Sequence, residues 1–136
     1  MEIRRYRESD RLQLVALWRR AFPDDPPRNE PNGMIDAKLA VDDLIFVADA
    51  AGAIVGAAIA GYDGHRGWLY SVAVDAAMRR KRVGGALIRH AVDALRGLGC
   101  VKVNLQVRST NAAVVAFYES LGFAVEDRIS MGLIVR

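Results

Sequence analysis

The stretch from Trp68 to Val107 constrains the fold of this chain more than any other. An apolar run, Trp68 to Val74, leads through a polar and basic connection, Asp75 to Arg82, into a segment whose apolar residues recur at helical spacing. Val83, Leu87, Ala91, Ala94 and Leu98 mark one face of that predicted helix, and Gly97 and Gly99 close it. Val101 to Val107 then alternates apolar and polar residues, as a half-buried strand does. A strand, a helix and a further strand in this order belong to a mixed α/β layer, because the helix must bury its apolar stripe on a sheet.

The flanking segments extend that sheet. Ile3 to Tyr6 reads as a first strand, and Ser9-Asp10 offers an N-cap to a helix with Leu14, Leu17, Trp18 and Ala21 inward. Pro23 to Gly33 holds all four prolines and reads as a loop, with a short helix expected over Ile35 to Ala40. Leu44 to Ala48 and Ile54 to Ala60 form a predicted hairpin around Asp49 to Ala53. A glycine-rich turn, Gly61 to Gly67, follows it. Beyond Val107, Ser109-Thr110-Asn111 opens a helix with Val114, Phe117 and Leu121 inward and Gly122 at its end. Phe123 to Val125 and Ile129 to Val135 read as two last strands. The expectation is one mixed α/β (α+β) domain over residues 1–136, with a mostly antiparallel central sheet of about six to seven strands and about four helices. No repeat, low-complexity tract or linker divides the sequence.

Composition excludes several alternatives. A single cysteine, Cys100, cannot build a disulfide framework or a cysteine-based zinc site, and it reads as buried packing. The longest apolar stretch, Ala50 to Ala60, is interrupted by Gly52 and Gly56 and is far shorter than a bilayer span. The charged opening from Glu2 to Asp10 does not resemble a secretion signal, so a soluble, cytoplasmic protein without membrane contact is expected. A net charge of +3 suits an anionic ligand without requiring nucleic acid.

The basic connection is the first functional clue. Arg79, Arg80, Lys81 and Arg82 are followed by Val83, Gly84 and Gly85 at the start of the predicted helix. A helix N-terminus presents unpaired N–H groups and a partial positive charge, and small residues let a ligand approach the backbone. A diphosphate is a natural guest, against the plainer reading of a solvated basic turn. The spacing matches neither a Walker A loop nor the dinucleotide fingerprint. Asn111-Ala112-Ala113-Val114-Val115-Ala116-Phe117-Tyr118-Glu119-Ser120-Leu121-Gly122-Phe123 supplies the second clue.

With both clues in order, the sequence resembles the GNAT superfamily of acyl-CoA-dependent N-acyltransferases. That family carries an apolar strand, a connection of type [QR]-x-x-G-x-[GA], a helix, a strand, and then N-x-x-(A)-x-x-x-Y-x-x-x-G-F. Here Leu69 to Val74, Arg79 to Gly84 and Asn111 through Tyr118 to Gly122-Phe123 stand in those places. Small bacterial single-domain members and the ribosomal-protein alanine acetyltransferases are the most similar branches. One position departs: Arg82 replaces the first motif glycine, while Gly84 is kept. A negative φ there tolerates a side chain, and the turn is expected to survive with Arg82 as an added cation; a positive φ would cost about 1 kcal/mol and lower cofactor affinity.

The resemblance implies a particular site. The central parallel strands would splay, and the pantetheine arm of acetyl-CoA would lie between them against the backbone of Val72 and Val74. A backbone N–H near Val72 or Ala73 would polarise the thioester carbonyl. The Arg79–Gly84 turn, with Gly85 beside it, would hold the pyrophosphate. Asn111 would hydrogen-bond the pantetheine arm, and Tyr118 would protonate the leaving thiolate. The implied reaction is direct transfer of the acetyl group to the amine of a small molecule or a protein, with no metal. Dimerisation through the last strands is a feature of relatives.

No general base emerges. Tyr70 and Gln106 stand where relatives place glutamates, and neither is a carboxylate. Asp63 and His65, in the Gly61–Gly67 turn, are the remaining candidates, although an exposed loop histidine is the commoner situation. The missing carboxylates keep a non-catalytic acyl-CoA-binding or sensing domain in play. A nucleic-acid-binding module using Arg79–Arg82 and Arg89 would leave the Asn111–Tyr118 motif unexplained.

Overall fold

The structure is a computed structural model that describes residues 1–79 and 82–136. The described residues fall into two compact units, Met1–Leu105 and Gln106–Arg136.

The first unit holds a sheet in the order β1-β2-β3-β4-β5, comprising β1 (Glu2–Arg5), β2 (Ile45–Ala50), β3 (Ala53–Tyr62), β4 (Gly67–Val74) and β5 (Val103–Leu105). The first three pairings are antiparallel and β4 runs parallel to β5. Helices α1 (Arg11–Ala21), α2 (Pro31–Leu39) and α3 (Val83–Gly97) belong to this unit, and α4 (Ala112–Ser120) to the second. The mixed α/β class with four α-helices matches the expectation, while the sheet has five strands among the described residues rather than six or seven.

The missing strands are the two expected last. Phe123 to Val125 and Ile129 to Val135 have no ladder partner among the described residues, and Ile129, Met131, Leu133 and Val135 are exposed. Alternation alone does not make a strand, because backbone pairing has to be supplied by a neighbour. The strand expected over Val101 to Val107 contracts to β5 for the same reason: its ladder faces Gly67–Leu69 of β4.

Local chemistry explains the other shifts. Pro31 occupies the first turn of α2, where its missing N–H costs nothing, and the Glu30 carboxylate accepts from Asn32 N (3.1 Å) and Gly33 N (2.7 Å). That helix therefore starts inside the segment read as a loop. The β2–β3 hairpin closes through Ala51 and Gly52, both at positive φ, as a two-residue turn. Asp10 does not cap α1 as expected. It is buried, accepts from Arg7 N at 2.8 Å, and takes two hydrogen bonds from Arg4 at 2.8 and 2.9 Å.

Helix α3 buries Val83, Leu87, Ile88, Ala91 and Leu95, whereas Leu98, expected inward, lies past the helix end and is exposed. Two strand glycines admit this helix. A Cβ on Gly56 would come within 2.8 Å of Leu87 Cδ1 and 3.1 Å of Val83 Cγ1. One on Gly67 would meet Cys100 Sγ at 2.7 Å and Leu95 Cδ1 at 3.1 Å. Another core cluster joins Leu14, Leu17 and Trp18 of α1 and Ile35 of α2 to Ile45, Val47, Ile54, Ala57, Ile59 and Ala73 of the sheet.

Candidate active site

Strand β4 is the spine of the site. Its parallel register with β5 covers Gly67, Trp68 and Leu69 opposite Val103, Asn104 and Leu105, and ends there. Its antiparallel register with β3 continues to Val74, with one irregularity: Tyr70 pairs Ile59 and Ala73 pairs Ala57, leaving Ser71 and Val72 opposite Ala58. Two residues against one is a β-bulge, which bends a strand and increases its twist. Ser71 carries φ +51°, the left-handed region that normally favours glycine.

The end of β4 therefore has an open edge. Asp75 N donates to Val55 O of β3 at 2.8 Å, so strand alternation turns the preceding N–H, on Val74, away from β3. Beyond Leu69 the β5 side of this edge has no strand partner among the described residues. Val72 and Val74 present backbone groups along this edge, while Ala73 faces β3.

A single turn of 3₁₀-helix, Ala76–Met78, then connects β4 to α3. The Asp75 carboxylate accepts from Ala77 N (3.3 Å) and from Arg20 Nη2 (3.2 Å), which pins the beginning of the connection. Arg79 is extended, and Arg80 and Lys81 lie outside the described residues. Arg82 is the N-cap of α3, with φ +63° and ψ +17°. The position thus does require positive φ, and the arginine bears a cost of about 1 kcal/mol that glycine would avoid. No side chain among the described residues caps α3, so the N–H groups of its first turn, at Val83, Gly84 and Gly85, are directed at no protein side-chain acceptor. Arg82 itself is exposed, and Val83 and Gly85 are buried. An open strand edge running into an uncapped helix N-terminus suits an elongated ligand with an amide arm and an anionic end.

The base candidates separate. Asp63 Oδ1 accepts from His65 N (2.8 Å) and Arg66 N (2.7 Å), and the Arg66 contact, followed by that of His65, holds this carboxyl below the usual range. Asp63 therefore shapes the turn and is a poor proton acceptor. His65 is exposed in the same turn. Tyr70, on β4, is raised above its ordinary value first by burial and then by the charge of Asp42. Gln106 belongs to the second unit, where its side-chain amide donates to Ser130 Oγ.

Near Tyr70 lies a feature that sequence reasoning overlooked. Lys38 is buried, and its ammonium meets both Asp42 oxygens, at 3.0 and 2.8 Å. Gly61 leaves room for it, since a Cβ there would sit 3.7 Å from Lys38 Nζ and 4.0 Å from Tyr70 Cε1. The i,i+4 spacing of Lys38 and Asp42 was visible in the sequence; its burial under the sheet was not.

In the second unit, Asn111 Oδ1 accepts from Val114 N at 3.3 Å and caps α4, leaving its Nδ2 as the group able to donate to a ligand. Tyr118 is the buried residue of α4, in edge-to-face contact with Phe117 (centroids 5.0 Å) and Phe123 (5.6 Å). Burial pushes its phenol above the ordinary value, so it remains protonated at neutral pH. Val114 on the same helix and Leu121, just past its end, are partly buried. Cys100 is buried beside Gly67, as expected, and His90 is exposed with its ring 5.2 Å from Phe46.

Comparison with known proteins agrees with this architecture. The family model described as "Acetyltransferase (GNAT) family" matches residues 11–123. An acetyltransferase of Sodalis glossinidius is 40% identical over 130 residues, covering 95% of this chain and 91% of its own length. Among solved structures, the ribosomal-protein-S18-alanine N-acetyltransferase from Escherichia coli aligns with TM-score 0.76 and 27% identity, over 89% of this chain and 76% of that one. An aminoglycoside N-acetyltransferase in complex with CoA shares the fold at TM-score 0.84 and 20% identity, over 99% of this chain and 95% of that one. The chain belongs to the GNAT acetyltransferase family and is by class an acyltransferase. No helix among the described residues is long and apolar enough to cross a membrane.

Proposed function

We propose that the chain, as one N-acetyltransferase domain over residues 1–136, transfers the acetyl group of acetyl-CoA to a primary amine in the cytoplasm. The observation that carries this reading is the open β4 edge at Val72–Val74 leading into the uncapped first turn of α3. Solved relatives bearing the same fold include a CoA complex, which supports acetyl-CoA as the ligand.

In this reading the pantetheine arm adds to the edge as a further strand would, using backbone groups of Val72 and Val74. The diphosphate sits on the N–H groups of Val83, Gly84 and Gly85, with Arg79, Arg80, Lys81 and Arg82 supplying positive charge. The backbone N–H of Val72 holds the acetyl oxygen as charge develops on it, since that of Ala73, the other expected donor, alternates toward β3. The neutral amine attacks the thioester carbonyl carbon, a C–N bond forms and the C–S bond breaks. Tyr118, kept neutral by burial, gives its proton to the departing sulfur. Asn111 Nδ2 donates to the pantetheine arm. The amine gives up its proton to solvent near Tyr70 or His65, because Asp63 is committed to its turn and Gln106 is not basic.

Thiol release from acetyl-CoA over a panel of amines, with unmodified protein and Tyr118→Phe, tests the reading. Release with at least one amine, lowered by about ten- to a thousand-fold in the variant at unchanged acetyl-CoA affinity, is expected. Saturable acetyl-CoA binding with no release for any amine favours the second reading, an acyl-CoA-binding or sensing domain, which the absence of a carboxylate at Tyr70 and Gln106 supports.

A further inference from the structure

We infer that Trp18 is a positioning residue: its indole N–H sets the β4 bulge at Ser71, and through it the backbone at Val72 that meets the acetyl group. This rests on the acetyltransferase reading above for the ligand, and on the geometry of the first unit for the device.

The bulge is not held by local sequence. Ser71 lies at φ +51° without being glycine or asparagine, and neither neighbour, Tyr70 or Val72, is a residue that favours a turn. A bulge also withdraws backbone groups from the ladder, and a withdrawn carbonyl inside a protein needs another donor. Trp18 supplies it. Its Nε1 donates to Ser71 O at 2.8 Å, and the Trp18 side chain, at 1% exposure, has essentially no access to water. An indole N–H buried that deeply is costly unless paired, so donor and acceptor each satisfy the other. From α2, Met34 Sδ lies 3.5 Å from Ser71 Oγ. Two helices thus grip the one residue whose backbone bends β4.

The location gives the grip its consequence. Ser71 is two residues beyond Leu69, where β4 loses its parallel partner, and directly before Val72. A shift of the bulge re-aims the backbone groups proposed to hold the acetyl carbonyl, while leaving the α3 N-terminus, where the diphosphate would sit, unaltered. Trp18 is therefore coupled more strongly to recognition of the acetyl group than to recognition of CoA, whose diphosphate contacts lie outside the bulge.

The test is to replace Trp18 in the full chain with 3-benzothienylalanine, which keeps the bicyclic shape and puts sulfur in place of the N–H. Two readouts are taken: the backbone carbon chemical shifts of Ser71 in the unliganded protein, and the ratio of acetyl-CoA to CoA affinity. The replacement is expected to abolish the left-handed signature at Ser71 and to reduce the preference for acetyl-CoA over CoA by about fivefold or more, any loss of CoA affinity being smaller than the loss for acetyl-CoA. Adding Ser71→Gly, which adopts positive φ without side-chain strain, is expected to restore the preference for acetyl-CoA. An isosteric protein that keeps the Ser71 signature and the acetyl-CoA preference overturns the inference. If the unmodified protein binds neither CoA nor acetyl-CoA, the acetyltransferase reading falls and takes the acetyl-recognition half with it. The Ser71 shifts still decide whether Trp18 sets the bulge.

Discussion

Leu69 and Leu105 are the last residues paired across β4 and β5. From that point β4 keeps β3 on one side and shows an open edge on the other, with the Val74 N–H turned toward it. An amide that gains a hydrogen-bond acceptor exchanges its hydrogen more slowly. Saturating acetyl-CoA should therefore slow exchange at Val74, while Ala73 and Asp75, which alternate toward β3, change little. Residue-resolved amide exchange by NMR checks this, and equal slowing along all of β4 would speak against an added strand-like arm.

Arg82 occupies a left-handed N-cap where the family motif has glycine. Arg82→Gly should raise stability by about 1 kcal/mol, because the strain is removed. For a chain of this size that is a few degrees in Tm. Calorimetric melting measures it, and a fall in Tm would show that the arginine side chain contributes more than its backbone costs.

The Arg4–Asp10 pair ties β1 to the approach to α1 and gives the fold a sign-defined response to acid. Hydrogen bonds from Arg4 hold the Asp10 carboxyl below the usual range, with Arg7 N adding to the effect and burial opposing it. A carboxyl depressed in the folded state contributes stability above its unfolded value, near 4, and loses it as pH falls through the folded value. Asp10→Asn should cost about 3 kcal/mol at pH 7, since it leaves Arg4 short of a buried partner. The difference from the unmodified protein should shrink as pH drops below about 4. Denaturant titrations at several pH values follow it; a difference independent of pH would contradict the ionic origin.

Much of this architecture was legible in the sequence. Helical spacing found α1 and α3, and apolar runs between turn residues found β1 to β4, because each of those signals comes from one buried face of a regular element. The order of the basic turn and the Asn111–Tyr118 motif already carries the resemblance to the family. Features decided by partners distant along the chain were not legible. Ser71 looks like an ordinary strand residue until Trp18, fifty-three positions earlier, is seen donating to its carbonyl. Asp10 looks like a forward-facing cap until Arg4 and Arg7 are seen turning it back. Pro31 sits in a stretch whose four prolines read as a loop, although proline at the first helical turn, behind a capping Glu30, is a start signal. Asp63 offered a carboxylate near the expected acceptor side, and its two backbone contacts assign it to the turn.

In the proposed complex, the segment from Arg79 to Gly85 at the head of α3 receives the diphosphate of acetyl-CoA. Calorimetric titration of unmodified protein and of Gly84→Glu with acetyl-CoA, in low and moderate salt, tests it most directly. The prediction is saturable one-to-one binding to the unmodified protein, with the carboxylate at position 84 weakening it at least about tenfold through bulk and like-charge repulsion. Equal affinity in the two proteins, or no binding to the unmodified one, would contradict it.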